Sequence, residues 1–504
     1  MEVALRQGTT LTVQSIPVIT MRNALGTLFV ISTFLVASPV LAQGTRRADK
    51  TDALLTGIDT RAAHYADVAK QIWGFAEVGY QEAKSSALLQ SELEKAGFKM
   101  NVGVAGMPTA FTAEYGSGKP VIAIIGEFDA LPGLSQDTTP EQKALVAGGA
   151  GHGCGHHLFG TAAVASAIAV KDWMITNKIA GTLRFYGTPA EEGGSGKVYM
   201  VRDGLFDDVD VAVTWHPGDR NEVTGTSSLA NISGKFRFHG VSAHAAAAPE
   251  QGRSALDAVE IMDVMTNFLR EHIPQESRIH YVITNGGRAP NVVPDFAEVY
   301  YTVRHPDMKV VDDIWERVVN AAKGAALGTG TTYDVTIISS VYALLINQTL
   351  AKVQQHALER VGGFTYTPAE REFASKLQKT LFHSEVPLET TARVLPLDLR
   401  SPVGGGSTDV GDVSWRVPTV QFNAATWVPG TPAHSWQAVA AGGMSIGAKG
   451  MVVAAKTMAL TAAELFTTPA TIVAAKAEFD IQRGPNFTYA TRLGTQKPAL
   501  DYRK

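Results

Sequence analysis

At 504 residues the chain is longer than one hydrophobic core ordinarily supports, so two domains are expected. Charged residues make up 18% and the formal net charge is −4, with no run of like charges, a balance that argues against a nucleic-acid-binding surface. The single cysteine excludes an internal disulfide.

The first feature along the chain is Met21-Arg22-Asn23 followed by the apolar run ALGTLFVISTFLVASPVLAQG, with Val40-Leu41-Ala42 before Gln43. A short basic start, an apolar middle and small residues at a cleavage point form the pattern of a secretory leader. The run is short for a membrane span and is interrupted by Ser32, Thr33, Ser38 and Pro39. Residues 1–42 are therefore read as a signal peptide, with Met21 as the alternative start. The mature chain is expected to be exported, periplasmic and without a membrane span. A lone thiol in that setting needs a use, and holding a metal is one.

Helical spacing marks Thr51 to about Lys70 and Ser85 to Ala96, the second closed by Gly97-Phe98. Pro120 to Gly126 (PVIAIIG) is a continuous apolar run too short for a helix, the mark of a strand buried on both faces. It runs into Glu127-Phe128-Asp129-Ala130-Leu131-Pro132. Gly151-His152-Gly153-Cys154-Gly155-His156-His157 follows, ahead of an alanine-rich helix whose N-terminus should favour a thiolate at Cys154. Further buried strands are read at Thr182–Tyr186, before Glu191-Glu192-Gly193-Gly194, and at Val209–Thr214, before Trp215-His216-Pro217. A fourth lies at Pro418–Phe422, with His434-Ser435 soon after it.

Between these halves the rhythm changes. Ile232–Phe238, Arg278–Thr284, Phe296–Arg304 and Thr331–Ser339 read as strands, with helices at Ser254–His272 and Val310–Ala322. The order β-α-β-β-α-β is the split ferredoxin-like unit. The expected fold is thus α/β: a mostly parallel sheet with helices on both faces, formed by 43–228 and 343–504, carrying an inserted α+β unit at 229–342. The free edge of the inserted sheet, with a helix beside it, is a candidate dimer contact. Beyond Thr467 the pattern gives one more helix and then polar, irregular sequence.

Parallel open sheets bind ligands beyond the carboxyl ends of their strands. Asp129, Glu191, Glu192 and His216 each fall just past such an end, and Cys154 and His156 open a helix on the same edge. Thiolate, imidazole and carboxylate together form a metal-binding donor set. Cys154, His156, Glu192, His216 and His434 exceed what one catalytic zinc uses, so two divalent cations, zinc or manganese, are expected. Glu191 is then placed to carry protons as general base, and Asp129 to orient a ligand. His152 and His157 flank the motif as lower-ranked ligands.

The ordered set Glu127-Phe128-Asp129-Ala130-Leu131-Pro132, Cys154-Gly155-His156, Glu191-Glu192-Gly193-Gly194, His216, Ser242-Ala243-His244-Ala245 and His434-Ser435 resembles the M20 metallopeptidase/amidohydrolase family, and most closely its aminobenzoyl-glutamate hydrolase type. The likeness extends from about Ile58 to about Arg483. It implies a two-metal hydrolase that removes an amino acid from a small N-acyl or N-aroyl conjugate. It also implies dimerisation through the inserted unit as a lid, either as a homodimer or with a paralogous second chain. His244, Asn291 and Arg304 match lid positions that bind substrate carbonyl and carboxylate in such proteins, with His244 reaching the other protomer's site. His157 departs from an Asp usual in the family, and Ser407-Thr408-Asp409 from Ser-Glu-Asp.

Two other readings are open. Cys154 could act as a nucleophile with His156 as its base, or the site could bind metal or peptide without turnover. The first leaves Glu191, Glu192, His216 and His434 without roles, and an intact Glu191 argues against the second. Gly193-Gly194-Ser195-Gly196-Lys197 falls short of a phosphate loop, since position 191 is Glu and position 198 is Val. Gly443-Met444-Ser445-Ile446-Gly447 lacks the preceding buried strand of a nucleophile elbow and is read as a packing turn.

Overall fold

The computed structural model describes residues 50–400 and 403–503. The leader at 1–42, with Met21, lies outside the described residues. Three helices come first: α1 (Asp52–Thr60), α2 (Ala62–Phe75) and α3 (Ala83–Lys95). The single helix expected at Thr51–Lys70 is two, because the backbone leaves helical geometry at Arg61 (φ −101°, ψ 5°). α3 stops as its sequence implies: Gly97 is left-handed and the Phe98 N–H donates to the Leu93 carbonyl at 3.1 Å.

β1 (Lys99–Val102) and β2 (Phe111–Ser117) form an antiparallel pair. No apolar run announces them, since β1 is largely exposed and β2 is buried only in part. β3 (Val121–Glu127), α4 (His156–Asn177), β4 (Gly181–Thr188), α5 (Gly196–Arg202) and β5 (Val211–Val213) follow the expected alternation. Every residue of β3 is buried, and its side chains alternate between two cores. Ile122 and Ile124 pack with α2 and α4, whereas Val121, Ala123 and Ile125 pack with α5. Helices on both faces follow from that period of two.

The short strands β6 (His216–Gly218) and β7 (Glu222–Val223) lead into the inserted unit. This comprises β8 (Ala230–His239), α6 (Ala255–Leu269), β9 (Arg278–Asn285), β10 (Phe296–His305), α7 (Met308–Thr329) and β11 (Thr332–Val341). Its sheet runs β11-β8-β10-β9, antiparallel throughout, which is the ferredoxin-like arrangement. Alternation again assigns the faces. Ile232, Phe236, Val299, Tyr301 and Val303 pack against the helices. Asn231, Ser233, Tyr300, Thr302 and Arg304 face the opposite way, into a cavity.

The chain returns through α8 (Gln348–Val361), α9 (Pro368–Gln378), α10 (Val410–Ser414), β12 (Thr419–Val420), β13 (Phe422–Ala425), α11 (Trp436–Gly442), α12 (Ser445–Thr467) and α13 (Pro469–Arg483). The strand expected at Pro418–Phe422 is split at Gln421: β12 pairs with β5 and β13 with β6, both parallel. The main sheet has six strands in the order β1-β2-β4-β3-β5-β12. β4, β3, β5 and β12 are parallel, and the β1–β2 pair adds an antiparallel edge. α4 and α12 are long and apolar enough to cross a membrane, but 83% and 78% of their most apolar stretches are buried in the protein. A helix apolar on every side belongs in a core, and both serve that purpose.

Candidate active site at the carboxyl edge of the sheet

The loop from β4 to α5 carries Glu191 and Glu192. Its backbone is strained: Ala190 (φ 55°) and Ser195 (φ 59°) are left-handed without being glycine, and Gly193 (φ 91°) makes the turn between them. Such geometry persists only where surroundings enforce it. The Ala190 N–H donates to Glu82 Oε1 and the Glu192 N–H to Asp129 Oδ2, both at 2.9 Å. Tyr80 donates its hydroxyl to the Gly194 carbonyl at 2.6 Å.

The neighbouring donors come from other edges of the fold. Gly155 starts α4 in a left-handed conformation (φ 76°), and a Cβ there would stand 2.7 Å from Pro217, so only glycine lets the Cys-Gly-His turn close on β6. Cys154 Sγ then lies 3.4 Å from His216 Nε2. His216 Nδ1 donates to the Pro217 carbonyl at 2.7 Å, leaving Nε2 as a lone pair. His156 Nδ1 donates to Asp129 Oδ1 at 2.9 Å, and its Nε2 is buried with no hydrogen-bond partner among the described residues. His434, itself left-handed (φ 59°), is anchored by its N–H to the Gly153 carbonyl at 2.8 Å. Its Nε2 lies 3.2 Å from Glu192 Oε1, another buried oxygen without a hydrogen bond.

These donors fall into two sets whose ligand atoms all lie within 4.8 Å of one another: Cys154, His156 and His216, and Cys154, Glu192 and His434. Cys154 belongs to both. The sets open onto a cavity of about 660 Å³, lined on one side by Glu191, Glu192, His216 and His434 and on the other by the cavity face of β8 and β10. Arg304 lies there, donating from Nη1 to Ser407 Oγ at 2.9 Å, and its Nε is buried without a partner among the described residues.

Residues 228–329 match the M20 peptidase dimerisation domain. One of the two chains of the p-aminobenzoyl-glutamate hydrolase of Escherichia coli (strain K12) is 46% identical over 416 residues, covering 77% of this chain and 86% of that protein. The chain belongs to the M20 family. It is a hydrolase of amide bonds, as its M20 relatives are. The fold agrees with solved M20 structures. An aminobenzoyl-glutamate utilization protein from Klebsiella pneumoniae superimposes with a TM-score of 0.58 at 19% identity, over 81% of this chain and 97% of that one. A dinuclear metal-binding M20 peptidase from Bacillus subtilis gives 0.54 at 18% identity, over 81% and 99%.

Within this M20 site the residues expected from the sequence are distributed unevenly. Cys154, His156, Glu192, His216, His434, Glu191, Asp129 and Arg304 converge. Asp129 bridges the His156 imidazole and the Glu192 backbone. His244 and Asn291 do not line the cavity: both are exposed on the lid, joined through the Ala245 N–H to the Asn291 carbonyl at 3.0 Å. His244 Nδ1 accepts the Ala246 and Ala247 N–H groups, so the protonated Nε2 is the free end of the ring. His152 and His157 turn away from the donor sets, each bonded to a backbone carbonyl, of Ile72 and Gly442 respectively.

The thiolate expected at Cys154 is not what the protein alone favours. Burial, and then the charge of Glu192, push the thiol well above its usual range. Its neighbour is His216 rather than His156, and burial with the nearby His156 charge pushes His216 down to about 4. A neutral imidazole beside a neutral thiol is not an activated nucleophile. The thiolate form needs a positive charge nearby, which a cation supplies.

Three M20-site residues escape the sequence reading. Lys197 is fully buried in the first turn of α5, its Nζ 2.7 Å from Glu127 Oε1 and 2.6 Å from Asp409 Oδ1. Burial works against that ammonium, but Asp409, Glu127 and Glu191 outweigh it and hold its pKa above the ordinary lysine range. Glu127 Oε2 lies 3.1 Å from His156 Nε2. Burial, then the charges of Glu127, Glu192 and Asp409, push the Glu191 carboxyl well above its usual range. The one available signal was Glu127 as the last residue of a buried strand. A charge in that position is costly unless it is paired.

Proposed function

We propose that this M20 hydrolase cleaves the amide bond of an N-acyl or N-aroyl amino acid of the p-aminobenzoyl-glutamate kind, with two divalent cations in its site. The observation that carries this is the pair of donor sets sharing Cys154 at the mouth of a cavity that also presents Glu191 and Arg304. The donors suit zinc or manganese: a thiolate able to bridge, with His156 and His216 on one side and Glu192 and His434 on the other. The unpartnered His156 Nε2 and Glu192 Oε1 fit that assignment, because a buried polar atom left without a partner is costly. Bound there, such cations supply Lewis acidity toward water and the amide carbonyl.

The remaining steps belong to the chain's own groups. Glu191 takes a proton from water and hands it to the departing nitrogen, a shuttle suited to a carboxyl whose pKa is raised by its surroundings. Asp129 keeps the His156 ring in one tautomer. Arg304 has no carboxylate within ion-pair distance among the described residues and offers a planar fork for the substrate's free carboxylate, with Ser407 setting its angle. The name of the 46% identical relative supports the substrate class.

The lid supports assembly with a second copy. Ile261, Val264, Met265 and Phe268 of α6 are exposed, as are Val282 and Ile283 on the edge strand β9. His244 and Asn291 would then serve the second protomer's site, and light scattering should give twice the chain mass. A paralogous second chain on this face is the other outcome of that measurement.

The direct test is release of amine from a panel of N-acyl and N-aroyl amino acids, p-aminobenzoyl-glutamate among them, with zinc or manganese added. Activity should vanish on chelation and return with the metal. Activity that survives exhaustive chelation would instead support the thiol route through Cys154. Arg304→Ala is expected to raise KM by about tenfold to a hundredfold on substrates with a free carboxylate, and far less on their amides, from the loss of a charge-assisted pair. Equal losses on both would remove Arg304 from carboxylate recognition.

A further inference from the structure

The stretch after α13, residues 484–503, has no regular secondary structure, yet it crosses from the lid to the catalytic loop. Arg492 holds Asp312 of α7 at 2.9 Å, and Gln496 donates to the Ile337 carbonyl of β11 at 2.8 Å. Arg202 of α5 donates to the Gln496 carbonyl at 2.7 Å, and Gln81 to that of Leu500 at 2.8 Å. Leu493 is buried, and Leu500 and Tyr502 pack against the core on the α5 face of the sheet. The segment ends on the carbonyl oxygen of Glu192, which accepts from the Tyr502 hydroxyl at 3.0 Å and from Arg503 Nη2 at 2.6 Å.

We infer that Tyr502 and Arg503 are positioning residues for the Glu191–Glu192 loop, a reading that rests on the proposed hydrolase activity. The loop is strained on both sides of the glutamates, at Ala190 and Ser195, so it needs restraint along its length. Ala190 is tied to Glu82 and the Glu192 N–H to Asp129. The carbonyl of Glu192 is the remaining end of that residue, and Tyr502 with Arg503 closes it. Glu191 has no side-chain hydrogen bond of its own recorded among the described residues, so its direction is inherited from these neighbours. The fit is close: a Cβ on Gly79 would stand 2.2 Å from the Tyr502 hydroxyl, and the Tyr80 and Tyr502 rings meet edge-on at 5.6 Å. Arg503 binds the carbonyl through a charged donor, and its Nε has no hydrogen-bond partner among the described residues. Charge-assisted bonds of this kind are the stronger class.

The test uses the full metal-loaded chain with p-aminobenzoyl-glutamate, or whichever conjugate the wild type cleaves. Arg503→Ala should lower kcat by about tenfold to a hundredfold with KM within about twofold, since small misplacement of a reacting group costs rate rather than affinity. Arg503→Lys, which keeps a charged donor, should recover most of the loss. Tyr502→Phe, which keeps the ring against Tyr80, should lose a few-fold. Hydrogen exchange on metal-free protein gives a readout independent of turnover: peptides covering 189–196 should exchange faster in Arg503→Ala than in the wild type. A kcat within twofold of wild type for all three variants, or unchanged exchange, overturns the inference. So does a rise in KM at unchanged kcat, which would make Arg503 a substrate contact. A wild-type chain that cleaves no conjugate sinks the proposed function instead, and the exchange measurement still decides the clamp.

Discussion

Glu191→Gln is expected to lower kcat by about 10²–10⁴ while leaving the cation content unchanged. The substitution keeps the size and shape of the side chain on a loop whose backbone is held by Glu82 and Asp129, so the loop has no reason to move. It removes only the capacity to accept a proton and return it. Glu192→Gln is the contrast, although the two residues are neighbours. Glu192 Oε1 faces His434 Nε2 at 3.2 Å within one donor set, so its variant should lose a cation and activity together. The pair of variants therefore separates proton transfer from metal holding by measuring kcat and metal content on the same samples. Full activity in Glu191→Gln would remove Glu191 from the chemistry. Cation loss in both variants would merge two roles that the geometry keeps apart.

The parts of the fold legible in the sequence are those where burial writes a simple pattern. β3 is apolar throughout because helices cover both of its faces, and β8 and β10 alternate because only one face meets α6 and α7. β1 and β2 left no such trace, since a partly exposed edge pair has no need of apolar residues. The split between β12 and β13 was hidden because Gln421 interrupts an otherwise continuous strand pattern. At the site, the metal-binding residue types stood out because sheet topology brings strand ends together. Lys197 did not, since its partners Glu127 and Asp409 are far off in sequence and only the fold shows that they enclose one ammonium. The segment ending at Arg503 was read as irregular because its work is done by scattered polar contacts with no period.

Cys154→Ser is expected to reduce the cation content from two per chain to one or none. The sulfur is the one atom common to both donor sets, so its replacement weakens each. A serine hydroxyl stays neutral where a thiolate would form, because its proton is held far more tightly than that of a thiol, and Glu192 beside it opposes a second negative charge. Stability provides a second readout. A cation that binds only the folded chain stabilises it by about 2.7 kcal/mol at a hundredfold excess over its Kd. Wild type should therefore melt at a higher temperature with zinc or manganese than with chelator, and the variant should show a smaller difference. The same variant separates the two hydrolytic routes. A Cys154 nucleophile predicts lost turnover with both cations still bound, because the thiol would then serve the substrate and not the metals. A bridging ligand predicts that metal content, metal-dependent stability and turnover fall together.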